Sequence, residues 1–473
     1  MLRRRVGPRG RSARVSQIPC STDLFVTSAS TFRIRHPELA RLLVLAGPLV
    51  VARLSHVLMG FVDTWMAGTL GTEAVAAIGL GHTIWFLGFV FAIGTLMGIE
   101  PLIASAMGRS DEERAGAIFA AGRWVAVGLM PLLVLLAVLG PWAAEVLGQP
   151  EEVRPLLVQY LGVVAFAVPA ALLFQVMSTA VAALGWSRPL LLISLAGNGV
   201  NIVTNVVFVH GIGPVPALGV AGIALATVLS SVVMWVLLHR AMASAQRARA
   251  LRRPWERPRW ADVRQALGIG VPVGVQYGLE VAGFTAATVM MGWFGAAALA
   301  AHQVALSVIS VSFTVALGLG TAAGILVARA EGRGDIGLAR RTGRMAFGCG
   351  AVVALVAAGV LVAGRSFIAG AFLEEPAALA LAVSLLWMAA IFQVADSVQA
   401  VAFGLLRGLG DTRVPLLFNV VGYWVVGLPV GGWLALQVLG RPEPIWAGLT
   451  VALFLVAGAA LLRFERGLAA RES

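Results

Sequence analysis

Lysine is absent from this 473-residue sequence, and cysteine occurs only twice, at Cys20 and Cys349. Without lysine there is no Walker A side chain to hold a nucleoside triphosphate and no Schiff-base amine, which excludes a self-contained ATP-driven pump and a retinal-type protein. Two cysteines build neither a disulfide framework nor a metal cluster. The patterns His-x-x-x-His, Cys-Pro-x-x-Cys and Gly-x-Ser-x-Gly are missing as well, so an intramembrane enzyme would lack its metal box or its nucleophile. Charge is scarce: Asp, Glu, Lys and Arg together make up 12%, about half the share in soluble domains. Hydrophobic residues make up 59%, with 55 Gly besides, and long uncharged runs are unavoidable.

Twelve apolar runs are long enough to cross a bilayer core of about 30 Å. They lie at roughly 41–67, 75–106, 117–139, 156–182, 189–210, 218–238, 265–292, 297–328, 345–364, 378–406, 414–436 and 445–462. The net charge of +12 suggests nucleic-acid binding only until its placement is read. Arginines crowd the connections after the even-numbered runs, such as Arg109 and Arg114, Arg247 to Arg259, Arg333 to Arg341, and Arg407 with Arg413. The odd-numbered connections carry Glu73, Glu145, Glu151, Glu374 and Glu375 instead. By the positive-inside rule both termini are expected in the cytoplasm. Residues 1–36, with eight arginines and no apolar run of signal-peptide length, read as a disordered Arg-rich cytoplasmic tail.

The Arg-rich stretch 240–261 reads as a cytoplasmic linker that divides the runs six and six, into 37–239 and 262–464, with a short cytoplasmic tail at 465–473. The halves repeat. Laid on 271–335 without a gap, 47–111 is identical at 19 of 65 positions, against roughly six expected from composition. Matched pairs include Pro48 with Pro272, Gly71 with Gly295, Gly94 with Gly318 and Gly108-Arg109 with Gly332-Arg333. Runs 1 and 7 cross in the same direction, so the symmetry axis lies along the membrane normal. The expected fold is an all-α polytopic membrane protein, twelve transmembrane helices in two six-helix bundles related by a pseudo-two-fold axis and facing each other across a cleft.

A charge near the bilayer centre costs about 2.5–3.5 kcal/mol on insertion scales, so it ordinarily faces an aqueous cavity. Four acids fall inside runs: Asp63, Glu100, Glu280 and Asp396. Glu280 follows Gln276 and Tyr277 on one helical face, and His56 precedes Asp63 by seven residues. Run 5 puts Asn198, Asn201 and Asn205 on one side, and run 8 adds Gln303, Ser307 and Ser310 beside His302. A lone Asn in a membrane helix is ordinarily interhelical glue, whereas three on one face leave glue and ligand both open. Gly94 with Gly98, and Gly320 with Gly324, read as close-packing contacts; His302 reads as a satisfied core histidine, and Glu100, before Pro101, as an acceptor for backbone donors at a kink. With no lysine and no deep arginine to neutralise Asp63, Glu280 and Asp396, their counter-charge is expected from outside the chain.

These residues resemble the multidrug and toxic-compound extrusion (MATE) transporters, in their NorM-like branch. The resemblance covers about 38–465 and rests on Met59-Gly60-Phe61-Val62-Asp63-Thr64 with Met66-Ala67-Gly68, Ala300-Ala301-His302-Gln303-Val304-Ala305, Asp396 with Val398-Gln399, and Leu406-Arg407-Gly408 with Asp411. It implies a secondary antiporter that expels amphipathic, mainly cationic organic compounds while Na⁺ or H⁺ runs inward, with no other cofactor. It further implies that Asp63, Glu280 and Asp396 take part in coupling, with Asn201 and Asn205 near them. At Phe392 the closest Na⁺-coupled relatives would carry Tyr, so one hydroxyl contact is lost.

Na⁺ prefers hard oxygen ligands, and two carboxylates with the amide oxygens of Asn201 and Asn205 would supply them, Glu280 and Asp396 being the expected Na⁺ position. A proton asks for less geometry, because desolvation favours the neutral form of a carboxyl group. His56, Tyr277, Gln303 and Phe392 are candidates for the substrate cleft. The implied partners are small organic cations and the lipid bilayer, with no nucleic acid, for a monomer in the bacterial inner membrane. A flippase of lipid-linked saccharides is the alternative; its polyanionic cargo would call for arginines in the cleft, whereas the runs carry acids.

Overall fold

The computed structural model describes residues 37–146, 148 and 150–472; the expected tail at 1–36 lies outside them. Among the described residues, twelve helices are long and apolar enough to cross a membrane. The first half holds α1 (Pro37–Gly68), α2 (Thr72–Gly108), α3 (Glu112–Val146), α4 (Val153–Ala183), α5 (Arg188–His210) and α6 (Val220–Ser244). The second holds α7 (Trp260–Gly292), α8 (Ala296–Gly332), α9 (Ile336–Phe372), α10 (Pro376–Gly408), α11 (Arg413–Leu439) and α12 (Glu443–Glu472).

Backbone chemistry explains the punctuation. Gly71 and Gly295, equivalent in the repeat, turn α1 into α2 and α7 into α8 at φ of 114° and 100°, conformations that a Cβ would strain. Pro189 and Pro376 sit in first turns, and Pro169 in the first turn after the 3₁₀ break at Ala165–Ala167 within α4, where no intrahelical amide bond is lost. In α11 the segments Val420–Gly427 and Leu434–Leu439 wind in wide π turns, a geometry that redirects side chains and recurs at functional sites.

The pairing of helices repeats. In the first half α1 packs on α5 and α2 on α4; in the second α7 packs on α11 and α8 on α10. Across the middle, α1 meets α8, and α2 meets α7 and α8. These cross-half contacts gather at one end of the molecule. Position 94 abuts Gly274, position 98 abuts Ala266 and Gly270, and position 108 abuts Arg329, so closely that a Cβ on any of these three glycines would strike backbone within 2.3–2.6 Å. The apolar core divides in the same way. One cluster joins both halves at the end bearing the Arg-rich connections, from Leu42 and Ile99 to Leu319 and Leu406. At the other end each half has its own core, around Tyr160 and Ile223 in the first and around Phe392 and Trp446 in the second. The molecule is a V, closed on the Arg-rich side and open on the other.

Two connecting segments are better fixed than their composition suggests. Within 240–261, α6 continues to Ser244 and a short 3₁₀ turn follows at Gln246–Leu251. The Ala250 carbonyl lies against Gly116, Arg123 donates to the Pro254 carbonyl at 2.9 Å, and its guanidinium stacks 4.8 Å from the centre of the Trp255 ring. The linker is thus strapped beneath the first half. At the other end of the chain α12 runs on through Glu472, which accepts from Arg340 at 2.7 Å.

Small residues set how closely the helices approach. A Cβ at Gly324 would lie 2.3 Å from the Gly404 carbonyl oxygen, whereas one at Gly278 meets nothing within 4 Å. Gly324→Val is expected to lower stability by about 1–3 kcal/mol, as overpacking does, and Gly278→Ala to leave it nearly unchanged; thermal unfolding of the detergent-solubilised protein compares the two.

Candidate functional site

In the first half, α1 presents Asp63 to α5 and α6. Asn205 and Asn201 donate to Oδ1 at 2.8 and 3.2 Å, and the Thr227 hydroxyl donates to Oδ2 at 3.1 Å. Asn205 also donates to Asn201 Oδ1 at 3.1 Å, while its own Oδ1 is buried without a hydrogen bond. The third asparagine does something else. Asn198 donates to the carbonyls of Ser55 and Ser194 and to the Ser55 hydroxyl, which ties α5 to α1 as interhelical glue. The i, i+3, i+7 stripe therefore divides, with two amides on the acid and one on the packing.

In the second half, Glu280 on α7 and Asp396 on α10 stand within electrostatic reach of each other, both buried. The last residue of the first α-helical segment of α11, Asn419, lies against Glu280, and the wide turn after it brings Tyr423 within reach of both acids. Hydrogen bonds are missing here to an unusual degree. Asp396 Oδ1, the Ser397 hydroxyl, Gln399 Oε1 and the Tyr423 hydroxyl are buried without a partner. Buried polar groups in native proteins are nearly always satisfied, so such a concentration marks a place built for something besides folding. No group of three or more His, Cys, Asp or Glu side chains with metal-binding geometry occurs among the described residues. A cation at Glu280 and Asp396 would therefore draw its further oxygens from Asn419 and Tyr423.

Of the three coupling candidates, Asp63 is the acid that Asn201 and Asn205 lie against, because α5 packs on α1 and α6. These three acids form two clusters, one per half. Three sequence expectations are corrected. Phe392 is not on the cleft, because it is fully buried between Phe284 and Trp446 in the core of the second half. Nor is arginine absent from the membrane-spanning helices. Arg53 lies within α1, and Arg407, 5% exposed near the end of α10, pairs with Glu100 at 3.4 Å. Glu100 thus serves an ion pair rather than the backbone at a kink.

The other cleft candidates fall as follows. His56 and Gln303 are exposed, and Ser307 and Ser310 extend the polar stripe of Gln303 along α8. Tyr277 is half-buried and, with Gln276, Glu280, Gln399 and Arg407, lines a cavity of about 10 Å³, room for about one water molecule. His302 belongs to the core. Trp446 donates to its Nδ1 at 3.0 Å, which puts the proton on Nε2, 3.0 Å from the Thr288 hydroxyl oxygen; that hydroxyl in turn donates to the Phe284 carbonyl. Sequence reasoning missed Thr227, Asn419 and Tyr423. Tyr423 was the most detectable of them, being one of only three tyrosines in the chain.

A family model described as MatE matches the chain twice, over residues 48–207 and 272–433; the matches begin 224 positions apart, which is the offset of the internal repeat. The chain is 36% identical over 437 residues to a probable multidrug resistance protein NorM of Burkholderia mallei, covering 90% of this chain and 92% of that one. It is 33% identical over 427 residues to the multidrug resistance protein MdtK of Edwardsiella ictaluri, covering 88% and 93%. Among solved structures, an outward-facing conformation of a multidrug resistance MATE family transporter of the MOP superfamily superposes with a TM-score of 0.85 at 18% identity, over 93% of this chain and 97% of that one. A twice-matched family model, relatives similar over about nine-tenths of the chain and a shared fold lead to one conclusion: this chain belongs to the MATE family, in its NorM-like branch, and is a membrane-embedded multidrug efflux transporter.

Proposed function

We propose that the protein is a secondary antiporter that exports amphipathic, mainly cationic organic compounds in exchange for Na⁺ or H⁺. The observation that carries this reading is the buried pair Glu280 and Asp396, surrounded by polar oxygens without partners. A carboxylate pair with too few internal donors is stabilised by a positive ligand from outside, whether an organic cation, a metal ion or a proton. Each of the three discharges the same group, so they compete. An organic cation entering from the Arg-rich side occupies the acids, and an inflowing coupling cation displaces it once the V stands open on the far side. Asp63 plays a different part. Three donors already hold it, so a cation there would share oxygens of an existing network, chiefly the unpartnered Asn205 Oδ1.

The distribution of arginine supports an Arg-rich side in the cytoplasm, with both chain ends there, and a bacterial inner-membrane location. A single chain encloses its own cleft, which supports a monomer. Export of lipid-linked saccharides draws less support, because the arginines between the halves, Arg53 and Arg407, are engaged with Thr321 and Glu100.

In cells stripped of their own efflux pumps, Glu280→Gln and Asp396→Asn are each expected to cut ethidium extrusion at least tenfold at unchanged protein level. Wild-type rates in both variants would refute the assignment. Imposed Na⁺ and pH gradients, applied separately in the same assay, identify the coupling ion. For Tyr423→Phe, whose lost hydroxyl has no partner, thermal stability is expected to stay within about 1 kcal/mol of the parent, while extrusion falls several-fold; equal losses of stability and extrusion would make that hydroxyl structural.

A further inference from the structure

One buried charged cluster has no task in the exchange just described. Glu100 of α2 and Arg407 of α10 belong to opposite halves, and they are 3% and 5% exposed. Arg407 Nη2 and Nε each lie 3.4 Å from Glu100 Oε1, and Nη2 is 3.5 Å from the Thr321 hydroxyl on α8. Arg53 of α1 donates to the same hydroxyl from the other half, at 3.4 Å. Two arginines from opposite halves thus converge on one threonine, with a single carboxylate and the Tyr277 side chain beside them.

Folding does not require this arrangement. A buried ion pair is seldom better than an apolar replacement of equal volume, while separating its members inside a protein is costly. Here the contacts are long and Arg407 Nε closes no hydrogen bond, so the pair is held without being tightly docked. Its position gives it a use. It stands at the seam where Gly94 and Gly98 meet α7, on the closed side of the V. Nearer the Arg-rich surface the same seam is crossed by Ser105 donating to Glu331 at 3.0 Å and Arg329 donating to the Ala183 carbonyl at 2.9 Å. When the halves part at this end, water reaches both charges and offsets their separation; when they close, each charge needs the other.

We infer that Glu100 and Arg407 form a charged latch that holds the two halves together on the Arg-rich side and must open in every transport cycle. They are positioning residues and do not touch the cargo. This inference rests on the alternating-exposure reading above, but its test measures conformation and not transport.

Spin labels at Ser110→Cys and Arg333→Cys, exposed positions on the Arg-rich turns of opposite halves, in a Cys20→Ser, Cys349→Ser background, report the separation by pulsed dipolar spectroscopy. The short-distance population dominates in the parent. Glu100→Gln and Arg407→Gln each raise the long-distance population at least threefold, and the exchanged pair Glu100→Arg with Arg407→Glu returns it toward the parent. Where a neutral variant does not fold, Glu100→Asp and Arg407→Lys, which keep the charges and lengthen the contact, are read in the same way. Distance distributions matching the parent in the folded variants would overturn the latch, even if extrusion were lost. Absence of extrusion by the parent, with the shift intact, would instead count against the exchange reading alone.

Discussion

The structure depends on a constraint that its solvent imposes. A carboxylate inside a lipid-embedded protein has no bulk water to lean on, so it must be hydrogen-bonded internally, paired with a cation of the chain, or neutralised by something that arrives. Two of these solutions are present in the structure, and the proposed function supplies the third. Asp63 is surrounded by amide and hydroxyl donors, Glu100 is paired with Arg407, and Glu280 with Asp396 is left short of partners. The helices on which these acids stand do not differ in kind. The side chains delivered by the neighbouring helix decide each outcome: Asn201 and Asn205 from α5, Arg407 from α10, and Asn419 with the unpartnered Tyr423 from α11.

The internal duplication makes that difference informative. The halves repeat in sequence, in turn glycines and in helix pairing, yet Asp63 aligns with Ala287 and Glu280 with His56. Backbone symmetry has been kept while the charges diverged. Two similar bundles can rock about a shared seam, with a distinct electrostatic task in each. In the proposed exchange, the shared core on the Arg-rich side and the separate cores opposite would be one end of such a motion.

Much of this was legible before any coordinates. Twelve spans followed from hydropathy and length, the six-and-six division from the Arg-rich linker, and the repeat from a constant offset, because each is a one-dimensional signal. The separation of Asn201 and Asn205 from Glu280 was not legible, since which helices adjoin is set by packing. Tyr423 was hidden for a local reason: it stands in a wide turn of α11, which no 3.6-residue periodicity foretells. Phe392 was misplaced because an aromatic on an apolar helix gives no sign of whether it faces a cleft or a core. Arg407 looked like a loop charge beside Gly408, although the helix ends only after it and carries it inward.

The most direct measurement is equilibrium binding of a lipophilic organic cation, such as tetraphenylphosphonium, to the purified protein as Na⁺ is raised and, separately, as pH is lowered. If cargo and coupling ion share the Glu280 and Asp396 pair, the apparent Kd rises in proportion to one of those cations once it is in excess, and Asp396→Asn abolishes the dependence. An apparent Kd that stays constant under both titrations would contradict the account.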